Sequence, residues 1–308
     1  MASVIAPFTR LDMSVDYTWD WTPVDAGSTY IELRGASFFG RFTGQFNVNV
    51  TASTVTGTAS TFQFARNGVN LMTFDFSPGL DAAVVATYMD NGDRLQPALA
   101  HLLRGNDTVT GQSGLNDILR GYGGNDTLDG AGGRDTAFYD GPRANYSVGL
   151  VSNNFRVTDR AGTEGTDTLL SVERIKFSDS SVALDINGTA GSAYRLYRAA
   201  FDRAPDLPGL GFQINALDRG QALASVAANF VASPEFRSTY GSLDDRQFVT
   251  QLYANVLDRA PDAGGLTYHI NNLAHGMQRG EVLMGFSESP ENKAAVIGTI
   301  QNGIEYQF

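Results

Sequence analysis

Four aspartates recur at Asp107, Asp117, Asp126 and Asp135, spaced ten, nine and nine residues apart. Each holds the same place in a short repeated unit of the stretch GNDTVTGQSGLNDILRGYGGNDTLDGAGGRDTAF, residues 105–138. Glycine, asparagine and small polar residues precede it, and a polar, apolar, polar triplet follows: Thr108-Val109-Thr110, Ile118-Leu119-Arg120, Thr127-Leu128-Asp129 and Thr136-Ala137-Phe138. Each unit thus reads as a tight turn and a very short strand, and repetition at a fixed period implies stacked units. Glycines let the backbone take φ > 0 and turn its carbonyls to one side. The aspartate sets a carboxylate beside them, while the apolar residue points into a thin core. Mixed carboxylate and carbonyl oxygens suit Ca²⁺. An aspartate can also simply close an Asx turn on its own backbone, but four in register with glycine turns favour the metal. The candidate ligand set is Asp107, Asp117, Asp126 and Asp135 with the turn residues Gly105, Asn106, Asn116, Gly124, Asn125, Gly133 and Arg134.

Two of the units, GYGGNDTLD (residues 121–129) and GAGGRDTAF (residues 130–138), resemble the nonapeptide G-G-x-G-x-D-x-U-x of secreted RTX proteins, the hemolysin-type calcium-binding repeat. The resemblance implies a parallel β-roll in which two units make one coil. Unit one then stacks under unit three and unit two under unit four, so Asp107 and Asp126 line one edge and Asp117 and Asp135 the other. Two to four Ca²⁺ ions are implied. The first unit has Leu102-Leu103 in place of the leading glycine pair, and the second carries an extra residue with Leu115 near the fourth-position glycine. That second unit is the weakest ligand donor.

The elements around this stretch change character twice. From Thr29 to Phe76, apolar residues alternate with polar ones: Ile31 and Leu33; Phe42, Phe46, Val48 and Val50; Phe62 and Phe64; Met72, Phe74 and Phe76. Period two with Gly, Asn and Ser breaks predicts a small antiparallel β domain over residues 1–76, with a sandwich as one arrangement. Tyr17, Trp19 and Trp21 alternate as a further strand. Ser77-Pro78 reads as an N-cap with proline at the first helical position, opening a helix through Met89. A second helix starts at Asp93, where Leu95, Leu99, Leu102 and Leu103 form a stripe ended by Gly105. Residues 77–104 are therefore connecting helices, the second capping the open end of the roll at 105–140. Beyond it Tyr146 to Val157 reads as a hairpin. The stretch Gly165 to Ile186 resembles the segment that closes RTX rolls, with Leu169, Val172, Ile175 and Phe177 inward and a last strand at Val182 and Leu184. This closing segment and a linker occupy residues 141–188. Asp140, Asp159 and Asp167 favour turn or capping duties over ligation.

From residue 189 the period becomes helical, and a second repeat emerges. LYRAAFDRAPDLPGLGFQIN (residues 196–215) matches LYANVLDRAPDAGGLTYHIN (residues 252–271) at an offset of 56 residues. The match runs on without gaps, pairing Gly220 with Gly276, Phe230 with Phe286 and Ser233-Pro234-Glu235 with Ser289-Pro290-Glu291. Each copy reads helix, DRAPD turn, helix, third helix, then S-P-E opening a fourth. Asp206, Asp262, Ser233 and Ser289 are the N-cap candidates. DRAPD is better suited to capping and an Arg–carboxylate pair than to a metal, because its central proline fixes a turn and leaves few free oxygens. The region resembles a helical domain of unassigned function that recurs in secreted calcium-repeat proteins and is distantly similar to phycobilisome linker repeats. The fold class is thus multidomain: an N-terminal antiparallel β domain with two short helices, a central calcium-binding parallel β-roll, and a C-terminal all-α domain over residues 189–308.

The net charge of −11 disfavours a nucleic-acid partner, and the chain has no cysteine for disulfide or thiol chemistry. The first residues lack a basic segment followed by an apolar run, and no apolar stretch approaches the ~20 residues of a membrane helix. By resemblance the chain is expected to leave through type I secretion machinery, with the signal in the tail IGTIQNGIEYQF. His101, His269 and His275 form no H-E-x-x-H, and Gly111-Gln112-Ser113-Gly114 lacks the spacing of a nucleophile elbow. The expectation is a non-enzymatic, secreted, calcium-dependent structural protein that self-assembles on the bacterial surface, as in an S-layer, sheath or matrix. A carbohydrate-binding adhesin is the alternative, and an extracellular hydrolase ranks third. Expected partners are further copies of the chain, as a homo-oligomer or two-dimensional assembly, and cell-surface polysaccharide.

Overall fold

The computed structural model describes residues 2–5, 22–26, 30–34, 38–49, 54–66, 69–81, 99–100, 103–162 and 164–307. The chain forms two compact units, Met1–Ser178 and Asp179–Phe308.

The first unit opens with β1 (Ala2–Ile5), β2 (Thr22–Ala26), β3 (Tyr30–Arg34), β4 (Phe38–Asn49), β5 (Thr54–Arg66) and β6 (Val69–Asp81). These form one small antiparallel sheet in the order β1-β6-β5-β4-β3-β2. Its register places Phe42 opposite Phe62 and Phe62 opposite Phe74. The alternation seen in the sequence accordingly buries Phe42, Phe62, Phe64, Phe74 and Phe76 on one face, while Thr58, Ser60 and Asp75 stay exposed. Ring centroids 4.2 Å apart for Phe42–Phe62 and 5.8 Å for Phe62–Phe74 give the cross-strand contacts that stabilise such a sheet. Ser77 and Pro78 lie within β6 and do not open a helix. The pairing jumps from Ala59–Leu80 to Thr61–Asp75, so both residues sit in a bulge, where a proline without a ladder donor is tolerated. The expected strand at residues 17–21 and the helices over residues 82–98 lie outside the described residues. Residues 99–100 are helical, and Leu99 and Leu103 are buried.

The Asp-rich repeat supplies β7 (Thr108–Thr110), β8 (Ile118–Leu119), β9 (Thr127–Asp129) and β10 (Thr136–Phe138). A hairpin follows, of β11 (Tyr146–Val151) and β12 (Asn154–Asp159), then β13 (Thr166–Leu170) and β14 (Arg174–Lys176). Successive repeat strands go alternately to two parallel ladders, β7-β9-β13 and β8-β10-β14. Val109, Leu128 and Leu169 stack in register in the first, and Leu119, Ala137 and Ile175 in the second, all buried. The hairpin turns on Ser152 and Asn153, at φ 51° and 70°, two left-handed residues that match the twist of the strands it joins. Leu169, Val172, Ile175 and Phe177 are buried, as their spacing predicts.

One connection was not legible. β1 pairs parallel with β7, Val4 opposite Val109, and antiparallel with β6, Val4 opposite Phe74. The first rung of the ladder is thereby joined to the antiparallel sheet by a strand from the chain's beginning, which satisfies the edge that the leucine helix was expected to cover.

The second unit contains β15 (Ser181–Ala183), then α1 (Thr189–Phe201), α2 (Leu207–Asp218), α3 (Leu223–Ala232), α4 (Pro234–Tyr240), α5 (Asp245–Leu257), α6 (Ala263–Ala274), α7 (Arg279–Ser287), α8 (Pro290–Ile300) and a closing strand β16 (Ile304–Tyr306). Helices α1–α4 and α5–α8 are the two copies of the repeat. Leu196, Phe201, Val226 and Phe230 of the first share a core with Phe248, Leu252, Val282 and Phe286 of the second. α3 and α7 cross closely at Gly280, where a Cβ would come within 2.9 Å of the Ala228 nitrogen. The chain's tail pairs antiparallel with β15 and buries Ile304 and Tyr306.

Candidate functional site

The chemistry-bearing residues of the repeat lie at two sets of turns, those that lead into β7, β9 and β13 and those that lead into β8, β10 and β14. Backbone shape repeats with the sequence: Gly124 and Gly133 have φ of 124° and 138°, and Tyr122 and Ala131, in the place of second-position glycines, keep φ of 66° and 62°. A Cβ on Gly124 would collide with the Gly105 carbonyl two repeat units earlier, and one on Gly133 with that of Leu115. Turn must sit directly on turn, which only glycine allows.

That stacking turns the aspartates inward. Asp107, Asp117, Asp126 and Asp135 are 4%, 1%, 2% and 0% exposed. Asp126 Oδ1 accepts from the Asp107 N–H at 2.8 Å, and Asp167 Oδ1 accepts from the Asp126 N–H at 3.0 Å. On the other set of turns Asp135 Oδ1 accepts from the Asp117 N–H at 2.7 Å, and Glu173 Oε2 from the Asp135 N–H at 2.8 Å. The structure therefore brings Asp107 together with Asp126, and Asp117 with Asp135. It extends each row by one acid from beyond the repeat. Asp167 carries the sequence signal GTDTLL, matching GNDTLD, whereas Glu173 shares no motif with the others and was missed.

Asparagines form parallel rows. Asn106 Oδ1 accepts from the Asn125 N–H at 2.9 Å, Asn125 Oδ1 from the Thr166 N–H at 2.8 Å, and Asn116 Oδ1 from the Arg134 N–H at 2.9 Å. Their side-chain oxygens are engaged in joining stacked turns, which leaves their main-chain carbonyls as the oxygens available to a cation.

The outer carboxylate oxygens differ. Asp117 Oδ2 accepts from the Gln112 N–H at 2.6 Å, and Asp167 Oδ2 from the Tyr139 hydroxyl at 2.9 Å. Asp126 Oδ2 and Asp135 Oδ2 are buried with no hydrogen-bond partner, one in each set of turns. Both occupy space that a side chain would fill: a Cβ on Gly121 would strike Asp126 Oδ2, and one on Gly130 would lie 2.5 Å from Asp135 Oδ2 and against the Ser171 carbonyl. At Gly130 carboxylate and carbonyl oxygens thus share one cradle. Burial pushes Asp126 up to about 8, against the hydrogen bond from Asp107, with the Asp167 and Asp107 charges adding to the rise. Burial likewise pushes Asp135 up to about 6, with Glu173 and Asp117 contributing. Burial raises Asp167 to about 7. A buried carboxylate with an open acceptor and like charges beside it fits a hard cation. Among the described residues no three His, Asp or Glu side chains converge as a metal site. A cation here would thus take a carboxylate pair and fill its remaining positions with carbonyls.

Asp140 and Asp159 have other duties. Asp140 pairs with Arg120, whose guanidinium also lies 4.2 Å from the Tyr122 ring centre. Asp159 accepts from the N–H groups of Ala161 and Glu164 at 2.7 and 3.0 Å, closing its own turn.

In the second unit each DRAPD motif ends one helix and starts the next. Asp202 and Asp258 are left-handed caps, both at φ 49°, and Asp206 and Asp262 accept from Gly209 and Gly265 N–H groups at 2.7 and 2.8 Å. Arg203 reaches Glu235 at 2.7 Å and Arg259 reaches Glu291 at 2.6 Å, tying each turn to the S-P-E helix of its own copy. Ser233 and Ser289 cap those helices, accepting from Phe236 and Asn292 N–H groups at 3.1 Å. Residues 227–296, from α3 through α8, match the family model of a domain of unknown function, DUF4214. The helical unit contains a DUF4214 domain. Its matched span takes in the second copy from the start of α5 to within α8, and the end of the first. No RTX family model matches the chain, and no curated protein matches it. Within the DUF4214 region the carboxylates are caps and ion-pair partners, so the buried acids of the first unit are the chain's candidate site.

Proposed function

We propose that the stacked turns of residues 105–138 are a calcium-binding β-roll of the RTX type, and that the chain is a secreted structural protein which assembles on the bacterial surface. One observation carries the reading: each set of turns holds a buried carboxylate oxygen, Asp126 Oδ2 or Asp135 Oδ2, with no hydrogen-bond partner and in a cradle that only glycine leaves open. Asp107 with Asp126, and Asp117 with Asp135, would hold the ions, two to four in number, aided by turn carbonyls. Bound Ca²⁺ would supply the positive charge that buried carboxylates need. The chain's own contribution is to exclude water from these oxygens and to space them by the coil repeat. Extracellular calcium modules fill at roughly 10⁻⁴–10⁻³ M, so folding of the roll would follow export by a type I route. Ordered turns would then fix the region on which lateral contacts depend, as in an S-layer, sheath or matrix.

Calorimetry on the full chain tests the site. Asp126→Ala and Asp135→Ala are expected to lose Ca²⁺ affinity by more than tenfold, and Asp140→Ala to keep it. Equal affinities for all three would refute the assignment. Electron microscopy with millimolar Ca²⁺ and with chelator tests assembly, and a chain that stays monomeric in both overturns the lattice role.

A further inference from the structure

The two copies of the helical repeat agree at positions whose duties are visible: Asp206 and Asp262 cap, Arg203 and Arg259 pair with glutamates, and Phe230 and Phe286 fill the core. A second set of agreements has no such duty. Phe212 and Tyr268, 56 residues apart, are both aromatic and are 69% and 61% exposed. They are the most exposed large hydrophobic residues among those described. Asn215 and Asn271 follow them at i+3 on the same helix face. The helix uses only their main-chain carbonyls, which accept from the Arg219 and His275 N–H groups. In the first copy Phe212, Asn215, Ala216, Arg219 and Gln221 line a depression of about 290 Å³. That is at the lower end of the roughly 300–1,000 Å³ of small-molecule sites.

The lining selects a ligand chemistry. A protein partner wants on the order of 800 Å² of buried surface on each side, far more than one ring in a small polar depression offers. A pyranose ring fits better. One of its faces is apolar and carries C–H groups, which the negative face of an aromatic ring attracts. Its neighbouring hydroxyls match the donor and acceptor of a single amide, and Arg219 adds further donors.

We infer that each copy of the helical repeat carries a shallow pyranose-binding patch, Phe212 with Asn215 and Tyr268 with Asn271, giving the chain two attachment points for a polysaccharide. The inference uses only the second unit, so it stands or falls independently of the calcium reading. The full chain is to be applied to an array of neutral, amino and uronic pyranose oligosaccharides. Selective binding is expected, weakened at least tenfold by Phe212→Ala or Tyr268→Ala, because two linked sites bind far more tightly than one, and lost in the double variant. The swaps Phe212→Tyr and Tyr268→Phe should preserve it. Both aromatics are exposed, so the melting temperature should not move. No selective binding by the parent chain, or binding that survives the double variant, overturns the inference. So does a double variant that retains sugar binding but loses self-association.

Discussion

In the ladder turns Asp126 and Asp135 are 2% and 0% exposed and are pushed up to about 8 and about 6 by burial. In the helical unit the side chains of Asp206 and Asp262 are 53% and 65% exposed. Asp206 is held below the usual carboxylate range by the Tyr197 hydroxyl and the Gly209 N–H, and Asp262 by the Gly265 N–H. Both pairs recur in register and both stand beside glycine. What separates them is where the carboxylate finds its donors. A helix N-terminus supplies an N–H to one carboxylate oxygen and leaves the other to water, a hydroxyl or an arginine. In the stacked turns Asp126 and Asp135 each accept one N–H, and their other oxygen is hidden from water without a partner. Repetition of acids therefore marks a candidate site only where the fold hides a carboxylate oxygen and leaves it unsatisfied, as at Asp126 and Asp135.

The largest effect that could break this contrast concerns the glycines. Gly124→Val places a side chain into the Gly105 carbonyl at φ 124°, and should cost at least about 3 kcal/mol in urea unfolding. Gly220→Ala, at φ 91° with open space around it, should cost about 1 kcal/mol. Similar losses would mean that the turns do not need their close stacking.

Next in size is the response to calcium. Asp126→Asn removes a carboxyl that is charged in the calcium-free folded chain only above about pH 8, so it should raise the melting temperature in chelator at about pH 9 and abolish much of the shift produced by Ca²⁺. Asp206→Ala should cost about 1 kcal/mol as a lost N-cap and leave that shift intact. An undiminished shift in Asp126→Asn would move the calcium site elsewhere.

Titration sharpens the comparison, because the two sets carry opposite signs. Asp126 holds a proton in the folded chain, from its ordinary value of 3.8 up to about 8, that the unfolded chain has released. Without calcium the ladder should therefore lose stability as pH rises from about 4 to about 8. Asp206, held low, adds stability that is present above the ordinary carboxylate range and fades as pH falls through its folded value. Hydrogen exchange in chelator should show residues 105–138 better protected at pH 5 than at pH 8, with no such gain for residues 196–296. The smallest effect belongs to Arg203→Ala, whose partly exposed pair with Glu235 should change stability by less than about 1 kcal/mol and less still in high salt.

The sequence by itself determined every feature whose cause is local. Period two in Phe62, Phe64, Phe74 and Phe76 foretold which face of the sheet is buried. The DRAPD and S-P-E motifs foretold caps at Asp206, Asp262, Ser233 and Ser289, because a cap is decided within four residues. The spacing marked Asp107, Asp117, Asp126 and Asp135 as equivalent, while their expected pairing, Asp107 with Asp126 and Asp117 with Asp135, came from the resemblance to the calcium repeat. Only the tertiary structure decided the rest. Ser77-Pro78 carries a helix-start signal, yet pairing with β5 draws it into a strand bulge. Glu173 completes a row of acids because β14 lies in register with β10, a fact no neighbouring residue encodes. Ala2–Ile5 joins the ladder across more than a hundred residues of chain. Which oxygens remain unsatisfied likewise depends on the turn stacked above, so the composition of the site was legible while its open acceptors, Asp126 Oδ2 and Asp135 Oδ2, were not. Strand register is a long-range choice, set by whichever edge is open and whichever faces match, and sequence spacing constrains it only within a repeat.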